Sequence, residues 1–145
     1  MKTINDYTAA SISRSRNRTF LVEWSTGEEV TYASFGEHLT RVANVLRSEG
    51  IREGDVVTLI ADNSIDMAIM FYGVIVQGAI AKPLNPRLTP SEIANLLAHS
   101  GSKLVFVDRE IDLTGFAGRH LPINTYRSVE TANLDGVLSK NFTEE

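Results

Sequence analysis

Cysteine is missing from all 145 residues, which removes any disulfide framework and fits a reducing, cytoplasmic setting. Long hydrophobic runs are missing too: no segment approaches the ~18 consecutive apolar residues that a membrane-spanning helix needs. The Met1-Lys2 start is not followed by the apolar stretch of a secretory signal. Asn17-Arg18-Thr19 and Asn141-Phe142-Thr143 are therefore read as chance matches to the glycosylation pattern. Positive charge is in deficit. With 14 Lys and Arg against 18 Asp and Glu the net charge is −4, which argues against broad binding to nucleic acid or anionic lipid. The basic cluster Arg14, Arg16 and Arg18 has no interleaved aromatics on which bases stack, and reads as solvated loop. What remains is 43% apolar and 22% charged, a balance that supports one core and one domain over residues 1–145.

The stretch from Val56 to Arg87 organises the rest, as one strand-helix-strand unit. Val-Val-Thr-Leu-Ile-Ala is a β-branched and aliphatic run enclosed by turn formers, as expected of a strand buried on both faces of a parallel sheet. Asn63 is placed to cap the following helix, and Asp66 to reach back toward its free amides and complement the positive helix end. From Met67 to Val76 almost every residue is apolar, which predicts a helix buried all round. Gly78 supplies a left-handed stop, and Ala79 to Leu84 returns to the sheet through a right-handed crossover.

Before this unit, Ile4 to Ile12 is weakly helical, with Tyr7 and Ile12 on one packing face. Thr19 to Trp24 and Glu29 to Tyr32 form a hairpin about Ser25-Thr26-Gly27-Glu28. From Ala33 the period turns helical, with Phe35, Leu39, Val42, Ala43 and Leu46 on one stripe, and Gly50 ends that helix with Ile51 closing it. After the unit, Thr89, Pro90 and Glu92 make a capping box with proline at the first helical position, stapled by Leu88 and Ile93. Ile93, Leu96 and Leu97 face the core, Gly101 ends the helix, Lys103 to Val107 is a strand, and Pro122 to Tyr126 is a further one. Strands starting near 56, 79, 103 and 122 recur at βα spacing. The fold class is α/β: a mainly parallel sheet of βα units with helices on both faces, preceded by a β-hairpin. Asn133 to Glu145 is polar and aperiodic, a surface helix or frayed tail.

Chemistry is sparse. No glycine follows the strand at Val56, where a dinucleotide site needs backbone amides to approach the pyrophosphate. Ser25-Thr26-Gly27 lacks a lysine and opens no helix, so it reads as an ordinary turn. Gly101-Ser102-Lys103 lacks the first glycine of a phosphate loop and reads as a helix stop. His38, His99 and His120 lie on separate elements without ligand spacing; His99 suits the negative end of its helix. Asp62 and Asp66 are the carboxylates worth weighing as metal ligands, but capping already explains Asp66. Met67 and Met70 are core filler. No catalytic, cofactor-binding or metal-ligating residue is assigned.

Taken together, Val30-Thr31-Tyr32-Ala33-Ser34-Phe35, Gly50-Ile51-Arg52-Glu53-Gly54-Asp55, Asp62-Asn63-Ser64, Gln77-Gly78-Ala79 and Pro83-Leu84-Asn85-Pro86-Arg87-Leu88-Thr89-Pro90 stand in an order and spacing that resembles the AMP-forming acyl-CoA synthetase family. The resemblance covers about Thr19 to Asp108. It implies the start of a large N-terminal domain whose whole enzyme activates a carboxylic acid with Mg-ATP to an acyl-adenylate, then passes the acyl group to coenzyme A. The family's Thr-Ser-Gly-rich phosphate loop, adenine-binding aromatic motif, ribose-binding aspartate, hinge and catalytic lysine have no counterpart here. Ser34 stands where the family often has Glu, which removes half of a capping box after Thr31. The expectation is an N-terminal fragment of an acyl- or aryl-acid CoA ligase-like protein, inactive alone. ATP, Mg and CoA belong to the full-length family, and the partner is the missing C-terminal portion. A stand-alone binding module that assembles with an equivalent partner chain is the alternative. A small nucleotide-binding enzyme unrelated to the family is disfavoured by the glycine-poor strand ends.

Overall fold

The computed structural model describes residues 1–130. Asn133 to Glu145, read above as helix or tail, lies outside the described residues. In chain order the elements are α1 (Ile4–Arg14), β1 (Thr19–Val22), β2 (Glu29–Thr31), α2 (Tyr32–Ser48), β3 (Val56–Ile60), α3 (Ile65–Val76), β4 (Ile80–Leu84), α4 (Pro90–Ser100), β5 (Leu104–Val107) and β6 (Arg119–Pro122). A 3₁₀ turn at Thr125–Ser128 follows.

Strands β1 and β2 pair antiparallel as a separate hairpin, and the other four form a parallel sheet in the order β4-β3-β5-β6. Each central strand alternates its side chains between two cores. Val57, Leu59, Leu104 and Phe106 face α2 and α3, with Ile69, Met70 and Val74 packed against them. Ile60, Val105 and Val107 face α4 through Ile93 and Leu97. Covering both faces leaves these strands no solvated side, which is why they read as continuous apolar runs. Thr58 is the polar exception at 0% exposure, and its hydroxyl lies 2.8 Å from that of Ser102, which donates onward to the carbonyl of Leu104.

Helix α3 is hydrophobic but is not sealed all round. Ile65, Ile69, Met70, Gly73, Val74 and Val76 are buried, while Met67, Phe71, Tyr72 and Ile75 are half-buried. Its contact with α2 is close at Gly73, where an added Cβ would stand 2.4 Å from Val42 Cγ1. Gly78 closes the helix at φ 79°, and the Ala79 amide reaches back to the carbonyl of Val74, as a left-handed helix end requires.

Several local expectations need correction. The α3 cap is Ser64, whose hydroxyl accepts from the Met67 amide at 3.0 Å, not Asn63. Glu23 in the hairpin supplies the second acceptor, taking the Ile65 amide at 2.7 Å. With those amides occupied, Asp66 is released from capping. Tyr7 is 62% exposed, so the packing of α1 rests on Thr8 and Ile12. Tyr32 begins α2 instead of ending β2. The last strand is Arg119–Pro122, and residues read as strand from Pro122 to Tyr126 include the 3₁₀ turn. The cap of α4 holds as expected: Thr89 and Glu92 exchange both capping-box bonds, Pro90 opens the helix, and Gly101 closes it at φ 64°. Thr31 still caps α2 by accepting the Ser34 amide at 3.1 Å, although Ser34 cannot return the bond as a carboxylate would.

Candidate functional site

In an open parallel sheet, ligands gather outside the carboxyl ends of the strands where the strand order reverses. Here the chain steps outward from β3 to β4 and then back across to β5, which puts the reversal between β3 and β5. At that point the amide of Asp62 donates to Asp108 Oδ2 at 2.9 Å, joining the two strand ends directly. Arginines close the gap. Arg87 Nη1 reaches Asp62 Oδ1 at 2.6 Å, Arg109 Nη2 bonds Asp62 Oδ2, and Arg109 Nε bonds Asp108 Oδ1 at 2.7 Å. Asn85 Oδ1 accepts the Arg87 amide at 2.9 Å, so the Asn85-Pro86-Arg87 turn sets the direction of that arginine.

The hydrogen bonds from Arg87, then Arg109, hold the Asp62 carboxyl below its usual range, and the bond from Arg109 does the same for Asp108. The guanidinium of Arg109 is pushed up by both carboxylates. These groups are exposed, so the network orients the loops more than it stabilises the fold.

Beside it lies a cleft of about 560 Å³, lined by Ser64, Asp66, Asp108, Arg109, His120 and Asn124 among others. Its wall is fixed by a second cluster. Tyr126, at 0% exposure, donates its hydroxyl to Asp66 Oδ1 at 2.5 Å, and Arg127 bonds the same oxygen at 2.7 Å. Arg127 also pairs with Glu28 at 3.0 Å, and the ring of His38 stands edge-on to Tyr126 with centroids 5.3 Å apart. Burial, helped by the bond to Asp66, raises the Tyr126 phenol well above its ordinary value. Burial, with Arg41 and Arg127 adding repulsion, lowers the pKa of His38.

The arrangement bears on each residue weighed from sequence. Asp62 and Asp66 are both engaged by arginines, and no group of His, Cys, Asp or Glu among the described residues is disposed to hold a metal ion. The three histidines do not converge: His38 is half-buried on α2, His99 is exposed in the last turn of α4, and exposed His120 lies on β6 at the cleft. Ser25-Thr26-Gly27 is an ordinary turn, with Thr26 accepting the Glu28 amide. Gly101-Ser102-Lys103 is a helix stop whose lysine pairs with Asp55 at 2.8 Å. Residues that the sequence reading passed over are Arg109, Tyr126 and Arg127. An Asp-Arg pair directly after a buried strand was the available signal for the first.

The donor set does not fit Mg-ATP. Ala-Asp-Asn-Ser follows β3 and Asp-Arg-Glu follows β5, without the glycines that let amides approach phosphates, and Asp62, Asp66 and Asp108 are each already paired with an arginine. No helix among the described residues is long and apolar enough to cross a membrane.

Comparison with known proteins supplies the context. The chain is 43% identical over 84 residues to the long-chain-fatty-acid–CoA ligase FadD13 of Mycobacterium tuberculosis, covering 58% of this chain and 17% of that protein. It is 34% identical over 117 residues to the 4-coumarate–CoA ligase CCL1 of Humulus lupulus, covering 77% and 21%. The chain thus spans about a fifth of the length of the curated relatives it matches. Among solved structures, the N-terminal domain of FACL13 from Mycobacterium tuberculosis superposes with a TM-score of 0.79 at 30% identity, over 91% of this chain and 38% of that one. The N-terminal subdomain of NpsA from Klebsiella oxytoca, in complex with 3-hydroxybenzoyl-AMSN, shares the fold with a TM-score of 0.80 at 21% identity, over 91% and 33%. Residues 8–141 match the model of the AMP-binding enzymes, and the chain belongs to that family.

Proposed function

We propose that residues 1–145 form one opening subdomain of an AMP-forming acid–thiol ligase and act there as scaffold. The parent reaction joins a carboxylic acid to AMP at the expense of ATP, and then transfers the acyl group to coenzyme A. Fatty or aryl acids are the substrate class, in a reducing, cytoplasmic setting. The reading is supported by the family match over residues 8–141 together with strand ends that carry no phosphate loop. Adenylation requires oriented amides and positive charge about the α-phosphate. Those groups come from polypeptide outside this stretch, and the subdomain holds the sheet against which they assemble.

The test is acid-dependent exchange of pyrophosphate into ATP across a panel of fatty and aryl acids. The 145-residue chain is assayed alone, and again grafted in place of the matching segment of a full-length CoA ligase. No exchange is expected from the chain alone, and exchange is expected from the graft. Exchange by the isolated chain would overturn the reading and require a phosphate site within it.

A further inference from the structure

Helix α1 carries an apolar stripe that the fold uses only in part. Ile4, Tyr7, Thr8, Ser11 and Ile12 recur at the spacing of one helix face. Only Thr8 and Ile12 are buried, while Ile4 stays 49% and Tyr7 62% exposed. The helix is anchored near its two ends. Asn5 Nδ2 donates to the carbonyl of Val76 at 3.1 Å, and Ile12 enters the core. Between these anchors α1 bridges a slot of about 200 Å³.

The opposite side of the slot is a continuous wall of rings. Phe20 lies 4.7 Å from Tyr32 and 4.8 Å from Phe35, and Phe35 meets Tyr72 edge-on at 5.5 Å, all between ring centroids. No charged residue lines the slot. The hydroxyls of Tyr7, Ser11, Tyr32 and Tyr72, all lining residues, bond no protein group among the described residues.

We propose that this slot binds a small neutral molecule built on one aromatic ring with a polar substituent. Its volume exceeds the roughly 150 Å³ in which a dry apolar cavity takes up benzene, which leaves room for the substituent. A ring entering it continues the tilted and edge-on contacts of the wall, and aromatic pairs gain free energy beyond that of the area they bury, which a saturated ring does not. The unpaired hydroxyls receive the substituent, and the lack of a counter-charge selects against an ionised acid. The site is independent of the ligase reading. It lies toward Tyr72 and Val76 in the second half of α3, away from the strand ends that form the crevice.

Phenol is the probe, with cyclohexanol as the saturated control, titrated into the 145-residue chain and followed by amide and methyl NMR. Saturable phenol shifts are expected with a dissociation constant on the order of 1 mM, a reasonable affinity for seven non-hydrogen atoms. Intermolecular NOEs should connect phenol to the methyls of Ile4 and Ile12, and cyclohexanol should bind at least several-fold more weakly. Ser11→Leu, which fills the slot, should weaken phenol at least tenfold, whereas Ser13→Leu at an exposed position should leave it unchanged. Shifts that do not saturate, NOEs elsewhere, or cyclohexanol binding as well as phenol would each overturn the proposal. The NOE pattern in the unmodified chain decides the matter even if Ser11→Leu disturbs α1.

Discussion

Replacing Tyr126 with phenylalanine removes one oxygen from a fully buried ring and leaves its packing against His38 in place. That oxygen donates to Asp66 at 2.5 Å, a hydrogen bond to a charged acceptor, for which about 1.5–3 kcal/mol is typical. Asp66 keeps its bond from Arg127 and its side chain is 24% exposed, so the carboxylate is not orphaned and the loss falls toward the lower half, about 2 kcal/mol. In a chain of this size that corresponds to a melting-temperature drop of about 6–8 °C. Urea melts of Tyr126→Phe, Asp66→Asn and the double variant form a cycle that isolates the pair. A coupling of at least about 1.5 kcal/mol is expected. The cycle also separates two roles for Asp66. If it served α3 as a helix-end charge, Asp66→Asn would cost about 0.3–1 kcal/mol whether or not Tyr126 had its hydroxyl. A coupling below about 0.5 kcal/mol would refute the tyrosine bond and restore the capping role.

Thr89→Ala removes the hydroxyl that accepts the Glu92 amide at 3.2 Å and should cost about 1 kcal/mol in a denaturant melt. Gly73→Ala gains about 1 kcal/mol of helix propensity but drives a methyl into Val42, so a net loss is expected, and Val42→Ala in the same chain should relieve it. His38 titrates below its unfolded value of about 6.5 because burial and two arginines disfavour its charged form. The unfolded chain therefore takes up this proton first, and stability falls as pH drops through about 6.5 toward the folded pKa. His38→Gln should flatten that part of the curve in urea midpoints measured between about pH 7 and 5.

The parts of the fold that could be read from sequence are those specified by neighbours along the chain. Val56 to Ile60, but for Thr58, and Leu104 to Val107 are apolar on both faces because both faces are covered, and the α4 cap draws all its partners from Thr89 to Glu92. Misreadings begin where a partner comes from far away. Asn63 and Ser64 are both competent caps, and the choice rests on Glu23, 42 residues from the amide it accepts. Asp66 looked like a helix-end charge because its partners, Tyr126 and Arg127, lie 60 and 61 residues away. Among the described residues strand β6 is paired on one side, so Arg119-His120-Leu121-Pro122 needs little apolar character and gives little signal. The crevice was legible only as the absence of a glycine loop. Its arginine network depends on which strand ends adjoin, which is a property of topology and not of spacing.

Arg127 and Glu28 meet across 99 residues, and that pairing has a consequence for the order in which the native contacts can form. Helix α2 and the hairpin leave the ribosome early, yet the ring that packs on His38 and the guanidinium that holds Glu28 are among the last described residues to be made. At about 5–20 residues per second, the hairpin waits on the order of 5–20 s for its closing partner. Through that interval Glu28 lacks its guanidinium partner, and the earlier long-range link of the hairpin is Glu23, which accepts the Ile65 amide 42 residues on.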